Sequence, residues 1–233
     1  MRIMAVGAHP DDIEFICAGT LARYTARGDE VFNVVCTNGD MGHMTIPAEE
    51  LGKIRIEEAR RAAESIGTSY LNLGEPDEWL FHDKRTRLLM IDAIRWAHPD
   101  VIITHAPEDY HPDHRTCSDL VFAASFLATV PHIVTEYPSV DHLATLIYAD
   151  TIAGTNFIPE EYVDITDTID QKVEALLCHE SQVVWMRDHD NLEIADFVRG
   201  LAQTRGQQCG APFAEGFRTA KIWPRLKTYR LLP

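Results

Sequence analysis

Two short segments carry most of the side chains able to do chemistry. Residues 9–12 read His9-Pro10-Asp11-Asp12, and residues 111–114 read His111-Pro112-Asp113-His114. Both gather imidazoles and carboxylates, the donors divalent zinc takes where thiolates are absent. His9 and Asp12 sit three residues apart on a tight loop and can share one ion. His114 completes a set of three protein ligands and leaves a position for water, which is what separates a catalytic from a structural zinc site. Asp11 lies beside two ligands, is not needed as one, and is placed to act as general base. His111 is placed as general acid or oxyanion stabiliser, oriented by Asp113 or another carboxylate. Together these groups suit metal-assisted hydrolysis of an amide or ester. A metal-dependent phosphoesterase is less favoured, because the segments offer ligands for one ion rather than an obvious pair. The plain alternative makes Asp11 and Asp12 helix-capping acids and leaves His111 and His114 as solvated loop residues.

The elements that must position these side chains are set by the apolar pattern. The first segment trails the run Ile3-Met4-Ala5-Val6 and the second trails Val101-Ile102-Ile103-Thr104. Strands are predicted at 2–7, 31–37, 69–73, 101–105 and 143–149, with helices at 14–27, 48–66, 86–97 and 117–128. This alternation predicts an α/β fold, a Rossmann-like and mostly parallel sheet with helices on both faces. In the common strand order 3-2-1-4-5, the first and fourth strands are neighbours and both segments leave the carboxyl edge, where such sheets bind ligands. Ala97-His98-Pro99-Asp100 repeats the letters of Ala8–Asp11 but precedes a strand. Its place is therefore the opposite edge, where proline ends a helix and starts extended chain. Beyond 149 the pattern predicts an extended piece at 162–165, a helix at 167–179 capped by Thr166 or Asp167, a helix at 191–204 closing at Gly206, and extended chain at 217–222. Residues 1–233 read as one domain, with 130–233 able to form a cap over the carboxyl edge.

Composition is that of a globular chain, 45% hydrophobic and 24% charged, and 233 residues suffice for one sizeable core. A net charge of −15, from 36 acids against 21 bases, disfavours nucleic acid as a partner. There is no apolar stretch of the roughly 20 residues that cross a bilayer. The first residues run straight into a strand without a signal-peptide layout, and the expected location is cytoplasmic. Cys17, Cys36, Cys117, Cys178 and Cys209 are scattered without a CxxC, as suits a reducing compartment. Cys117, three residues after His114, reads as a packing residue.

Several motifs together resemble the PIG-L/LmbE-like family of zinc-dependent N-acetylglucosamine-type deacetylases. They are AHPDDIEF-x-x-AGTL near the amino terminus, TNGDMG after the second strand, R-x-x-E-x-x-x-A-A-x-x-I-G from Arg55 to Gly67, PDVIITH before the second segment and DYHPDHR within it. K-x-x-A-L-x-x-H-x-S-Q at residues 172–182 and RGQQCGAPFAEGFR at 205–218 extend the match over nearly the whole chain. The resemblance implies that His9, Asp12 and His114 bind zinc, that Asp11 is the base and that His111 assists. It implies removal of an N-acyl group, usually acetyl, from an amino sugar or its conjugate, with amidases of thiol conjugates as the alternative. It also implies a homo-oligomer, a trimer or hexamer. The donor set would accept Zn2+ and also Fe2+.

Substrate contacts have several candidates. Arg55 is either a substrate ligand or a helix-surface cation paired with Glu57 or Glu58, and Asp40 lies in the TNGD loop. Asp77 and Trp79 belong to the acidic, aromatic stretch 74–81, where Trp79 is either a sugar platform or a packing residue. Tyr110 can donate to an oxyanion. His179 reads as structural or pocket-lining, and Trp185 and Met186 as candidates for the rim.

Overall fold

A computed structural model describes residues 1–225. Strand β1 (Arg2–Gly7) is buried on both faces and feeds two separate cores. Met4 and Val6 point to one side, against Met90, Ile94, Leu120 and Val121. Ile3 and Ala5 point to the other, against Ile13, Leu21, Val173 and Val198. A strand covered on both faces reads as a continuous apolar run, as this one does.

The remaining elements keep the predicted alternation and then extend it. They are α1 (Asp12–Ile16), α2 (Ala18–Ala26), β2 (Glu30–Thr37), α3 (Ala48–Ser65), β3 (Ser69–Glu75), α4 (Lys84–Ala97), β4 (Val101–Thr104), α5 (Pro112–Leu127), β5 (Thr145–Ala149), β6 (Glu161–Asp164), α6 (Ile169–Leu177), α7 (Glu180–Asp190), α8 (Ile194–Cys209) and β7 (Ala214–Thr219). One seven-stranded sheet has the order β3-β2-β1-β4-β5-β7-β6. The first five strands are parallel, in the order 3-2-1-4-5; β7 joins β5 and β6 antiparallel. Residues after 130 thus widen the sheet. Among the described residues no helix is long and apolar enough to cross a membrane.

Several helix assignments differ from the sequence pattern. The helix expected over 14–27 breaks at Cys17 (φ −152°, ψ 7°). The break exposes new N–H donors, and the buried carboxylate of Glu215 accepts from Gly19 at 3.0 Å and Thr20 at 2.7 Å. Lys172 Nζ neutralises that carboxylate at 2.5 Å. The helix expected at 117 begins at Pro112, whose missing N–H and fixed φ suit a first helical position. The His111 segment is therefore a helix N-terminus. Finally, α6 starts at Ile169 without a side-chain cap, α7 has no counterpart in the sequence pattern, and α8 runs on to Cys209, ending at Gly210 (φ 82°) instead of Gly206. Gly206 lies inside the helix, where the missing side chain lets the following turn fold back: an added Cβ would come within 2.5 Å of Ala211 O.

His98 closes α4 in the left-handed region, and Asp100 accepts the Arg2 N–H at 2.8 Å. That segment lies at the amino edge, as its position before β4 requires.

Candidate active site

Parallel pairing of Val6 with Thr104 brings the two segments off adjacent strands. The chain leaves β1 through a turn in which the His9 N–H donates to Asp12 Oδ2 at 2.7 Å. Asp11 adopts φ 115°, a conformation costing a non-glycine residue about 1–3 kcal/mol and concentrated at functional sites. It serves as N-cap of α1 by position only, because its side chain makes no capping hydrogen bond. Its carboxylate faces the guanidinium of Arg55 instead.

Donors of three residues converge between the segments. His114 Nε2 lies 3.2 Å from His9 Nδ1 and 3.2 Å from Asp12 Oδ1, and the other Asp12 oxygen, Oδ2, lies 3.4 Å from His9 Nδ1. Tetrahedral zinc with bonds of about 2.0–2.1 Å sets its ligand atoms about 3.3–3.4 Å apart, so this set fits an ion of that size. The field fits as well. Against the effect of burial, Asp12 and the hydrogen-bonded Asp109 push the His114 imidazole up to about 10. Asp12 is itself held well below the carboxylate range by His114, His105 and His9, despite burial.

A second layer orients these donors. His114 Nδ1 lies 2.9 Å from Asp109 Oδ1, the carboxylate–imidazole relation that fixes a metal ligand's tautomer. His9 Nε2 lies 3.1 Å from Asp77 Oδ1 and 3.5 Å from Asp113 Oδ2. His105 stacks on His114 at 4.0 Å and stands 3.1 Å from Asp12 Oδ2. Burial and the neighbouring His114 lower its pKa, so it packs as a neutral ring. Asp113 thus faces His9, and the carboxylate beside His111 is Glu78, with Oε1 3.4 Å from His111 Nε2. Glu78 holds its place through another positive φ, 66°.

His111 caps α5 with Nδ1, which accepts the Asp113 N–H at 3.2 Å. An imidazole that accepts at Nδ1 carries its neutral-form proton on Nε2, toward the cleft. Burial, His9 and His114 lower its pKa.

Arg55 is a buried residue, not a surface cation. Its Nη2 donates to Pro10 O at 2.6 Å and Asp11 Oδ2 at 3.1 Å, and its Nη1 to Gly39 O at 3.0 Å. Glu58, the expected surface partner, is buried on Ser181. Burial raises Asp11 to about 6, with Arg55 pulling the other way.

A cleft of about 220 Å3 opens over this constellation. His9, Asp11, Asp12, Arg55, Asp77, Tyr110, His111 and His114 line it, joined by Phe15, Gly42, Glu78, Ile152 and Met186. Asp40 and Trp79 are not among the lining residues. Asp40 Oδ1 accepts the Asp77 N–H at 3.1 Å and so positions the loop that carries Asp77. Trp79 is 58% exposed and leans on Phe81. His105, Asp109 and Glu78 are site residues that the sequence pattern does not single out. The first two lie in the HPDH approach at the carboxyl edge, a signal that could have found them, whereas Glu78 reaches His111 only through loop conformation.

Comparison with known proteins gives the same direction. The family model described as PIG-L, GlcNAc-PI de-N-acetylase, matches residues 4–125. A diacetylchitobiose deacetylase of Thermococcus kodakarensis is 28% identical, over 93% of this chain and 82% of its own. The structure of N,N'-diacetylchitobiose deacetylase from Pyrococcus horikoshii superposes with a TM-score of 0.81 at 25% identity, covering 94% of this chain and 83% of that one. The 4-carboxy-2-hydroxymuconate hydratase of Pseudomonas putida shares the fold, with a TM-score of 0.82, 22% identity and coverage of 99% and 100%.

Proposed function

Because the chain belongs to the PIG-L, GlcNAc-PI de-N-acetylase family, we propose that it is a metal-dependent N-deacetylase acting on an N-acetylated amino sugar or its glycoside. The observation that carries this reading is the convergence of His9, Asp12 and His114 donors at 3.2–3.4 Å beside the unliganded carboxylate of Asp11. Zn2+, or Fe2+ on the same donors, would supply a Lewis acid for the amide carbonyl and a water of lowered pKa. Asp11 accepts the proton of the attacking water, in the position Arg55 holds for it. His111 presents its Nε2–H to the developing oxyanion, with Glu78 on its outer side, and the proton that Asp11 takes from the water passes to the leaving nitrogen. Burial, Asp12 and Asp109 push the Tyr110 phenol up to about 12, so it keeps its proton and serves as an oxyanion donor. Residues 1–233 act as one catalytic unit, in the cytoplasm and within a homo-oligomer.

The charge of the cleft supports a neutral substrate. Arg55 is the one lysine or arginine among the lining residues, and Pro10, Asp11 and Gly39 occupy its Nη groups. A polycarboxylate of the hydratase type would meet Asp77 and Glu78 with no free lysine or arginine to pair with it. An amidase cleaving a larger acyl group or a thiol conjugate would share every catalytic group and differ only in the pocket. Acetate release from N-acetylglucosamine, its oligomers and glycosides should depend on added zinc and collapse in Asp11→Asn. No release from any sugar, with one ion still bound per chain, sinks the amino-sugar assignment.

A further inference from the structure

One sequence motif has no part in the catalytic cleft. Ala97-His98-Pro99-Asp100 repeats the letters of Ala8–Asp11 at the opposite, amino edge of the sheet. There His98 meets Asp141 and His142, from the irregular segment 128–144 that connects α5 to β5. One donor atom from each of the three lies within 4.8 Å of the others. Among the described residues, every other such grouping contains His9 or His114 and so belongs to the catalytic centre.

The hydrogen bonding of His142 calls for a cation. Its Nε2 lies 3.1 Å from Pro99 O, which can only accept, so Nε2 carries a proton. In the neutral ring Nδ1 is then a lone pair, and it faces Asp141 Oδ1 at 2.8 Å. Two acceptors at that distance repel unless a cation lies between them, either a proton or a metal ion. An imidazole whose other nitrogen donates to a backbone carbonyl is also the usual setting of a metal ligand.

His98 brings a second imidazole to the same carboxylate oxygen. Its Nε2 lies 3.4 Å from Asp141 Oδ1, the separation of two ligand atoms on one tetrahedral zinc with bonds of about 2.0–2.1 Å. The His98 and His142 ring centroids are 5.2 Å apart. To admit an ion, Asp141 Oδ1 must part from His142 Nδ1 by about 0.5 Å, and the Asp141 side chain, 83% exposed, is free to swing that far. His98 itself is held as the last residue of α4 in the left-handed region, φ 44° and ψ 56°, a conformation that non-glycine residues adopt at a cost and mostly at functional positions.

We propose that His98, Asp141 and His142 form a second metal site, for a divalent ion of the zinc, nickel or copper kind, with water completing its coordination. Two imidazoles and one carboxylate favour these ions over magnesium and calcium, which take oxygen ligands. Three ligands on a partly exposed surface make this ion exchangeable and more weakly held than one in the buried catalytic centre. It ties the end of α4 to the chain entering β5, because His142 lies just before Thr145, and it takes no part in hydrolysis.

The test is calorimetric titration of zinc into metal-free, untagged protein. It compares wild type, His98→Asn, His142→Ala and a His9→Ala/His114→Ala variant that lacks the catalytic ligands. Asparagine is the choice at position 98 because it tolerates the left-handed backbone. Wild type should bind two ions per chain, and His98→Asn and His142→Ala one each. The His9→Ala/His114→Ala variant should keep the weaker ion alone. Its Cu2+ form should show electron paramagnetic resonance couplings to two imidazole nitrogens, falling to one when His98→Asn is added. One ion per wild-type chain overturns the site and leaves the His142–Asp141 contact to a proton. A second ion that persists in His98→Asn and His142→Ala overturns it as well, as does coupling to a single nitrogen before His98 is replaced. Stoichiometry is read without substrate, so failure of the deacetylase reading changes none of these outcomes.

Discussion

Arg55 Nη2 stands 3.1 Å from Asp11 Oδ2 while also donating to Pro10 O at 2.6 Å. One guanidinium from the long helix α3 therefore holds both the carboxylate and the strained backbone that presents it. Most of the consequences that can be measured start from this contact.

Burial raises Asp11 to about 6 and Arg55 restrains the rise. The base works as the carboxylate, so activity falls as pH drops through its pKa. A bound cation beside Asp12 lowers that pKa further. The acid limb of kcat/KM should lie at or below pH 6, and Arg55→Met should move it upward while lowering kcat. A limb that stays in place in Arg55→Met would separate Arg55 from the base.

Gly39 and Gly42 clasp the same guanidinium. A Cβ at Gly42 would stand 2.5 Å from Arg55 Nη1, and one at Gly39, where φ is already 70°, 2.7 Å from it. In Gly42→Ala the side chain that yields is the end of Arg55, not the backbone. We expect kcat to fall tenfold or more with a Tm change of only a few degrees, as a loss of about 1 kcal/mol shifts a domain of this size. Kinetics and thermal melts of one preparation check both halves.

Asp109 Oδ1 lies 2.9 Å from His114 Nδ1 and also accepts the His111 N–H at 3.1 Å. Asp109→Asn should weaken zinc about 10–100-fold, the usual cost of losing such a partner. Competition with a chromophoric chelator measures it. Zinc at a hundredfold excess over its Kd should stabilise the wild type by about 2.7 kcal/mol, visible as a higher Tm.

Away from the site, Lys172 and Glu215 form a buried pair at 2.5 Å, with Phe15 O accepting from the same Nζ at 2.7 Å. Lys172→Met leaves Glu215 uncompensated, at an expected cost of about 3–5 kcal/mol in urea denaturation. A cost under about 1 kcal/mol would show that the N–H groups of Gly19 and Thr20 satisfy Glu215 by themselves.

The alternating strands and helices were legible because strands buried on both faces leave apolar runs, and helices between them leave a three-to-four residue period; the order 3-2-1-4-5 was assumed as the common one for that alternation, and the sheet has it. His9, Asp12, His111 and His114 were legible because each segment comes after a strand, and alternating topology sends both to one edge. The pattern could not show the break at Cys17, since Glu215, nearly two hundred residues away, supplies the cap. Nor could it show α7, whose first turn is held by Glu58, which accepts the Ser181 N–H, and by Gly42 O, which accepts from Gln182 Nε2. Asp113 faces His9 and Glu78 stands beside His111 for the same reason: spacing places a carboxylate near a histidine, but φ and helix register decide which one it faces. The sequence by itself determined the chemistry and the sheet edge that carries it, because both depend on residue type and local period. Tertiary structure decided which groups touch. It made Arg55 the partner of Asp11 and set His43 against Trp185, contacts across long loops that local periodicity does not encode.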